Sequence, residues 1–344
     1  MSSIFSARGI KVILLLLGVV TVSGLVVHIG PERIYRTCVS LGAVGLVVML
    51  VPSTAMYLLD CVGWQLTLGR HKAAVPFARL FMIRTAGELV NATTPAAYVG
   101  GEPLKASLLK TFSVPMADGL ASVIVAKTTM TIAQILYILL GIGLSIWVLV
   151  LPASASTDHL SGLTVIVSLG LLLFATTMFI VIQRQGLFAV MFYAMAQCGI
   201  RIAALEAKRE QLLALDEAIM DFYTRHRAPF FLSVGTFFGG WLVGALEAYV
   251  IVRYLGEPID IVTALSIDAL TTLIKGGTFF VPGSIGAQEA GTLILLRAYG
   301  YSDVTGMTFA ILRRVRELIW IGIGALCLMF VMKVERLTEQ TDRS

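Results

Sequence analysis

Charge is what this sequence has least of. Only 14% of its 344 residues are charged, against roughly 25% in soluble domains. By contrast 57% are hydrophobic, and the mean hydropathy is +0.88. An ordinary soluble domain is excluded. The net charge of +5 does not point to nucleic acid, because the bases cluster at the ends of apolar runs without forming a basic stripe. Cysteine is equally sparse: Cys38, Cys61, Cys198 and Cys327 are scattered, with no CxxC to suggest a disulfide framework. His28, His71, His159 and His226 show no ligand spacing. No nucleophile–base pair or metal-ligand set is apparent. The expectation is a chain without metal or cofactor that is not an enzyme. A long polar stretch is also missing, since the longest, at about 183–228, is too short for a sizeable core.

What is present is apolar length. Runs at about 10–29, 41–59, 117–150, 161–182, 229–252 and 304–332 approach or exceed the roughly 20 residues that cross a bilayer. The first is too long and uninterrupted for a cleaved signal and reads as a span. Arg8 and Lys11 place the N-terminus in the cytoplasm, and Lys333 and Arg336 place the C-terminus there. Arg70, Lys72 and Arg79 mark a cytoplasmic loop, as do the bases of 183–228, while 151–160 carries only Asp158 and His159 and reads as external.

Proline and glycine interrupt this pattern at two places, Pro95 to Glu102 and Pro282 to Glu289. Proline removes a backbone donor and glycine removes Cβ, so a helix should not run through either segment. Broken backbone at membrane depth requires protein or a water-filled cavity around it, and paired breaks point to a transport site. The expected fold is an all-α polytopic membrane protein with about six full transmembrane helices and two re-entrant helical hairpins, 77–112 and 262–299. A shift of 187 residues pairs Asp60 with Glu247, Gly69 with Gly256, Pro95 with Pro282, Glu102 with Glu289, and Lys127 with Arg314. Because the paired segments should run in opposite directions, this reads as an inverted repeat. The single membrane domain then divides into a first span and outer loop (1–40), repeat A (41–150), and a connecting span with a cytoplasmic segment (151–228). Repeat B (229–332) and a cytoplasmic tail (333–344) complete it.

Charges inside apolar helices are the candidate site. Arg313, Arg314, Arg316 and Glu317 fall inside the last run, with Arg314 roughly 15 Å along it. Each central arginine costs about 2.5–3.5 kcal/mol on insertion scales, so an inward-facing position is expected. Arg313 and Glu317, four apart, are placed to pair. Lys127, Thr131 and Gln134 form one polar stripe. Two readings of it stay open, a pathway or an interhelical hydrogen-bond network. Glu102 and Glu289 open the helices after the breaks; either they complement the macrodipole or they carry protons and pair with Lys127 and Arg314. The N–H groups around Gly100-Gly101 and Gly286-Ala287 suggest an anion cradle. Asn91, Glu88 and Arg84 add polarity before the first break, as Lys275 and Asp268 do before the second. Pro95, Pro282, Gly283 and Gln288 complete the set, with Lys105 beyond the first break. Trp64 and Trp147 suit an interfacial belt. Gly235 to Gly239 and Gly240 to Gly244 suit helix packing.

The segments Asn91 to Lys105, Val281 to Glu289 and Arg313 to Trp320 resemble the flippase-like membrane domain of lysylphosphatidylglycerol synthases, most closely its hopanoid-associated members. Lys105 stands where that family pattern leads one to expect arginine. The resemblance implies a multi-pass protein of the bacterial inner membrane that moves an amphiphile between leaflets. It implies a polar, anionic headgroup as substrate: a phospholipid, a polyprenyl phosphate or a hopanoid. Lipid-biosynthesis enzymes are the partners it suggests, and the oligomeric state stays open. Bifunctional relatives carry an aminoacyl-transferase domain, whose activity is not expected in a chain ending at Ser344. The rival readings are a non-catalytic scaffold for lipid synthesis and an intramembrane lipid-modifying enzyme.

Overall fold

A computed structural model describes residues 30–93, 101–150, 227–277 and 287–341, with a few single positions near 24–27 and 210–220. The described residues are helical, with no strand. Eight helices are described: α1 (Pro31–Thr67), α2 (Phe77–Thr93), α3 (Gly101–Leu109), α4 (Met116–Ser145), α5 (Arg227–Tyr254), α6 (Ile261–Gly277), α7 (Ala287–Ala298) and α8 (Asp303–Thr341). Four segments are long and apolar enough to cross a membrane: Leu41–Thr67, Met116–Val148, Arg227–Tyr254 and Asp303–Lys333. The chain is therefore an all-α polytopic membrane protein. The expected spans 10–29 and 161–182 lie outside the described residues, as do Pro95, Gly100, Pro282, Gly283 and Gly286.

Local chemistry explains the boundaries. Asp260 caps α6 by accepting from Thr263 N at 2.8 Å, and Ser302 Oγ accepts from Thr305 N at 3.2 Å at the start of α8. α5 closes through Gly256 and α7 through Gly300, both at positive φ, where the absent Cβ removes the steric penalty. The outer loop expected up to residue 40 is instead helical from Pro31, and the bend falls at Gly42, whose φ of 68° interrupts α1.

The two halves share a plan. Shifted by 187 residues, α1–α4 fall on α5–α8, and the left-handed positions Gly69 and Ser113 fall on Gly256 and Gly300. Two apolar clusters flank the middle of the molecule, one containing Cys61, Trp64, Leu80 and Leu109, the other Ala248, Ile251, Ile267 and Leu296. These are the same positions under the same shift. The packing interlocks the halves: α1 lies on α5, α2 on α8, and α6 on α4. Trp64, placed at an interface by its position in the sequence, is a buried core residue whose Nε1 donates to Ser122 Oγ at 3.4 Å. Trp147 is exposed, as a belt residue would be. Of the glycine pairs on α5, Gly240 and Gly244 abut Asp60 and Met56 of α1, whereas a Cβ at Gly235 or Gly239 would meet nothing within 4 Å.

Each hairpin arm folds back on its partner, α3 on α2 and α7 on α6. The first fold depends on a close approach, because a Cβ on Gly101 would lie 2.1 Å from the Gly87 carbonyl oxygen. Gly101→Ala is expected to destabilise the protein by about 1–3 kcal/mol through overpacking. Thermal unfolding of the detergent-solubilised variant, followed by light scattering, checks this; an unchanged midpoint would show that the approach relaxes freely.

Candidate functional site

Three arginines on α8 organise the centre. At 100° per residue, positions 313, 314 and 316 point in three directions around one helix, and each meets a carboxylate from a different neighbour. Arg313 pairs with Asp268 of α6, Arg316 with Glu247 of α5, and Arg314 Nε donates to Glu289 Oε1 of α7 at 2.5 Å. Inward-facing arginines were the expectation for this span, and Arg313 and Arg314 are buried. The expected pair of Arg313 with Glu317 does not form. Glu317 instead accepts from Lys275 Nζ at 2.6 Å and from Arg314 Nη1 at 2.8 Å, one turn away at a spacing of three. The rotation of Arg313 toward α6 takes it out of reach of that carboxylate.

The first half has its own set. Arg84 of α2 pairs with Asp60 of α1 and stacks over the Tyr57 ring at 4.5 Å. Lys105 is buried between Glu88 at 2.6 Å and Glu102 at 3.0 Å, so its ammonium is committed within the protein. Glu102 lies 3.6 Å from Lys127, and Asn91 Nδ2 donates to Glu102 at 3.2 Å. Glu102–Lys127 and Glu289–Arg314 are thus equivalent pairs, each spanning 25 residues. The anion cradle expected at Gly101 is occupied by the protein itself: Gly101 N donates to Asn91 Oδ1 at 2.7 Å.

Among the described residues this network contains seven bases (Arg84, Lys105, Lys127, Lys275, Arg313, Arg314, Arg316) and seven carboxylates (Asp60, Glu88, Glu102, Glu247, Asp268, Glu289, Glu317). Every ion pair in it joins residues of the same half. The contacts that cross between halves come from neutral donors. Tyr137 Oη donates to Asp268 Oδ2 at 2.7 Å, Ser233 Oγ to Gly63 O at 2.9 Å, and Trp320 Nε1 to Ser53 Oγ at 3.1 Å.

Between the halves lies a cavity of about 360 Å³. Asp60, Arg84, Glu88, Lys127, Gln134, Asp268, Lys275, Gln288, Arg313, Arg316 and Glu317 line it, with Tyr57, Met56, Met130 and Trp241 as its apolar wall. A second cavity of about 150 Å³ shares Tyr57, Arg84, Glu88, Lys275 and Glu317 and continues to Asn91, Arg314 and Trp320. Lys127 and Gln134 of the predicted stripe line the cavity, whereas Thr131 Oγ1 donates to the Lys127 carbonyl at 2.8 Å. Asp60, Glu247, Tyr57 and Trp241 belong to the site but were not singled out for it. The signal that marks the first two is an acid within an apolar run.

The balance of buried charge sets a testable expectation. Arg313→Ala leaves Asp268 buried with only neutral donors. A loss of about 3–5 kcal/mol is expected for breaking a buried pair, while Arg313→Gln with Asp268→Asn recovers most of it. Arg36→Ala, which removes an exposed pair with Glu32, should cost less than about 1 kcal/mol. Comparing thermal midpoints of the three proteins in one detergent checks the ordering.

Comparison with known proteins places these observations. A family model described as the lysylphosphatidylglycerol synthase TM region matches residues 9–325. A protein of Methanothermobacter thermautotrophicus described as a UPF0104 membrane protein is 24% identical over 317 residues, covering 89% of this chain and 90% of the relative. No solved structure matches the chain.

Proposed function

This chain belongs to the lysylphosphatidylglycerol synthase TM-region family, and from that membership and its central cavity we propose that it translocates a lipid headgroup between leaflets. The observation that carries the reading is the cavity itself, about 360 Å³ of charged space enclosed by membrane-length helices from both halves. That volume lies near the lower end for ligand pockets and suits a headgroup whose tails stay in the surrounding bilayer. The guanidinium and ammonium groups on its wall suit phosphate or another polar acceptor.

In this reading the halves form an inverted repeat, supported by the recurrence of helices, left-handed positions and the 25-residue ion pairs. Alternating exposure follows from where the contacts fall. Ion pairs are directional and costly to break when buried, and those within each half need not break when the halves tilt. The surfaces that would slide are apolar and bridged by neutral hydrogen bonds, which exchange at lower cost. The smaller cavity, sharing Arg84, Glu88, Lys275 and Glu317 with the larger, supplies a continuation of the polar path. We read the chain as a transporter of the bacterial inner membrane with both termini cytoplasmic. Its partner is the lipid it moves.

Reconstitution tests this. In vesicles carrying acyl-labelled lipids in one leaflet, the protein is expected to make label accessible to an external quencher. Lys127→Gln and Lys275→Gln should each slow movement about tenfold, the worth of one charge-assisted hydrogen bond. Absence of protein-dependent movement across phospholipids, polyprenyl phosphates and hopanoids would overturn the reading in favour of a scaffold. Conversion of a labelled lipid to a new chemical species would make it an enzyme.

A further inference from the structure

The charges around the main cavity divide into those sealed by protein contacts and those left accessible. Asp60 and Asp268 are buried against their arginines, and Glu317 is held by Lys275 and Arg314. Glu88 differs: its side chain is 37% exposed. Its Oε1 accepts from Lys105 Nζ at 2.6 Å, and among the described residues no donor bonds to its Oε2. On the same cavity, Lys127 and Lys275 are each 38% exposed. The surface offered to a ligand is therefore one carboxylate oxygen and two ammonium groups, set in a shell whose seven bases and seven carboxylates already cancel.

A neutral shell discriminates by net charge. An anion entering alone leaves one uncompensated charge in a low-dielectric space, which is costly. A zwitterion brings its own compensation and can satisfy both kinds of accessible group. The two non-bridging oxygens of a phosphodiester suit the two ammonium groups, and a primary amine supplies N–H donors to Glu88 Oε2. A trimethylated amine has no such donor. Resting on the translocator reading above, we propose that the cavity selects a zwitterionic headgroup, a phosphodiester bearing a primary amine, and that Glu88 is the specificity-determining residue. This replaces the anionic headgroup expected from sequence with one carrying both charges.

The experiment compares acyl-labelled phosphatidylethanolamine, phosphatidylcholine and phosphatidylglycerol in vesicles containing the full-length protein. Phosphatidylethanolamine is expected to move about tenfold faster than either of the others, the value of one charge-assisted hydrogen bond. In Glu88→Gln that ratio should fall toward one, and in Glu88→Asp it should be largely retained. Phosphatidylglycerol moving as fast as phosphatidylethanolamine, or a ratio unchanged in Glu88→Gln, overturns the proposal. Should Glu88→Gln fail to fold by gel filtration, the wild-type ratios and Glu88→Asp decide it. A parallel arm supplies soluble glycerophosphoethanolamine and glycerophosphoglycerol as competitors and as solutes for uptake. Preferential competition by the former supports the charge selectivity. Uptake of the soluble compound with no lipid movement would overturn the translocator reading while leaving that selectivity standing. Movement of all three lipids at one rate would do the reverse.

Discussion

Buried charge has to cancel, and the rest of this molecule is arranged around that requirement. A lone ion in a low-dielectric interior is prohibitive, so each intramembrane base must be met by an acid at close range. The geometry of α8 answers this with three arginines pointing to three helices, which fixes α5, α6 and α7 around one axis. In the first half the same task falls to Arg84 of α2 and to Lys105 and Lys127, which bind α1, α2, α3 and α4 together. The hairpins are held by these pairs as much as by apolar packing, and this is what keeps interrupted backbone tolerable beside a polar cavity.

Apolar packing performs a different task. It joins elements across the two halves, α1 with α5, α2 with α8 and α6 with α4, and it forms two clusters at corresponding positions. Directional, costly contacts thus lie within halves and non-directional ones between them. A molecule built in this way has a natural plane along which it can move, and the cavity lies on that plane.

Much of this was legible in the sequence, for identifiable reasons. Proline and glycine at the two breaks act locally, so the interruption of helix on either side of 94–100 and 278–286 follows from residue type alone. The Glu102–Lys127 and Glu289–Arg314 pairs were approachable because the same 25-residue interval occurs twice. What stayed hidden depends on helix rotation. Depth along a span can be counted, but which neighbour Arg313 faces cannot, so its pairing with Asp268 was missed and one with Glu317 was expected instead. Trp64 misled in the same way, because the end of an apolar run is not the edge of the buried region when α1 continues to Thr67. Glu88 was seen only as added polarity. Its significance comes from the oxygen that its neighbours leave accessible, a property of several helices together.

The containment of ion pairs within halves also bears on how the chain is made. Asp60, Glu88 and Glu102 balance Arg84, Lys105 and Lys127, while Glu247, Asp268, Glu289 and Glu317 balance Lys275, Arg313, Arg314 and Arg316. Synthesis proceeds from the N-terminus, so the first half emerges from the ribosome before any base or acid of the second exists. It enters the bilayer already neutral and needs no later helix to rescue a stranded ion. The second half arrives under the same condition and meets the first mainly through apolar faces, which find each other without a search for charge partners. A network drawn across the halves would have left its early members exposed to lipid until translation was nearly complete.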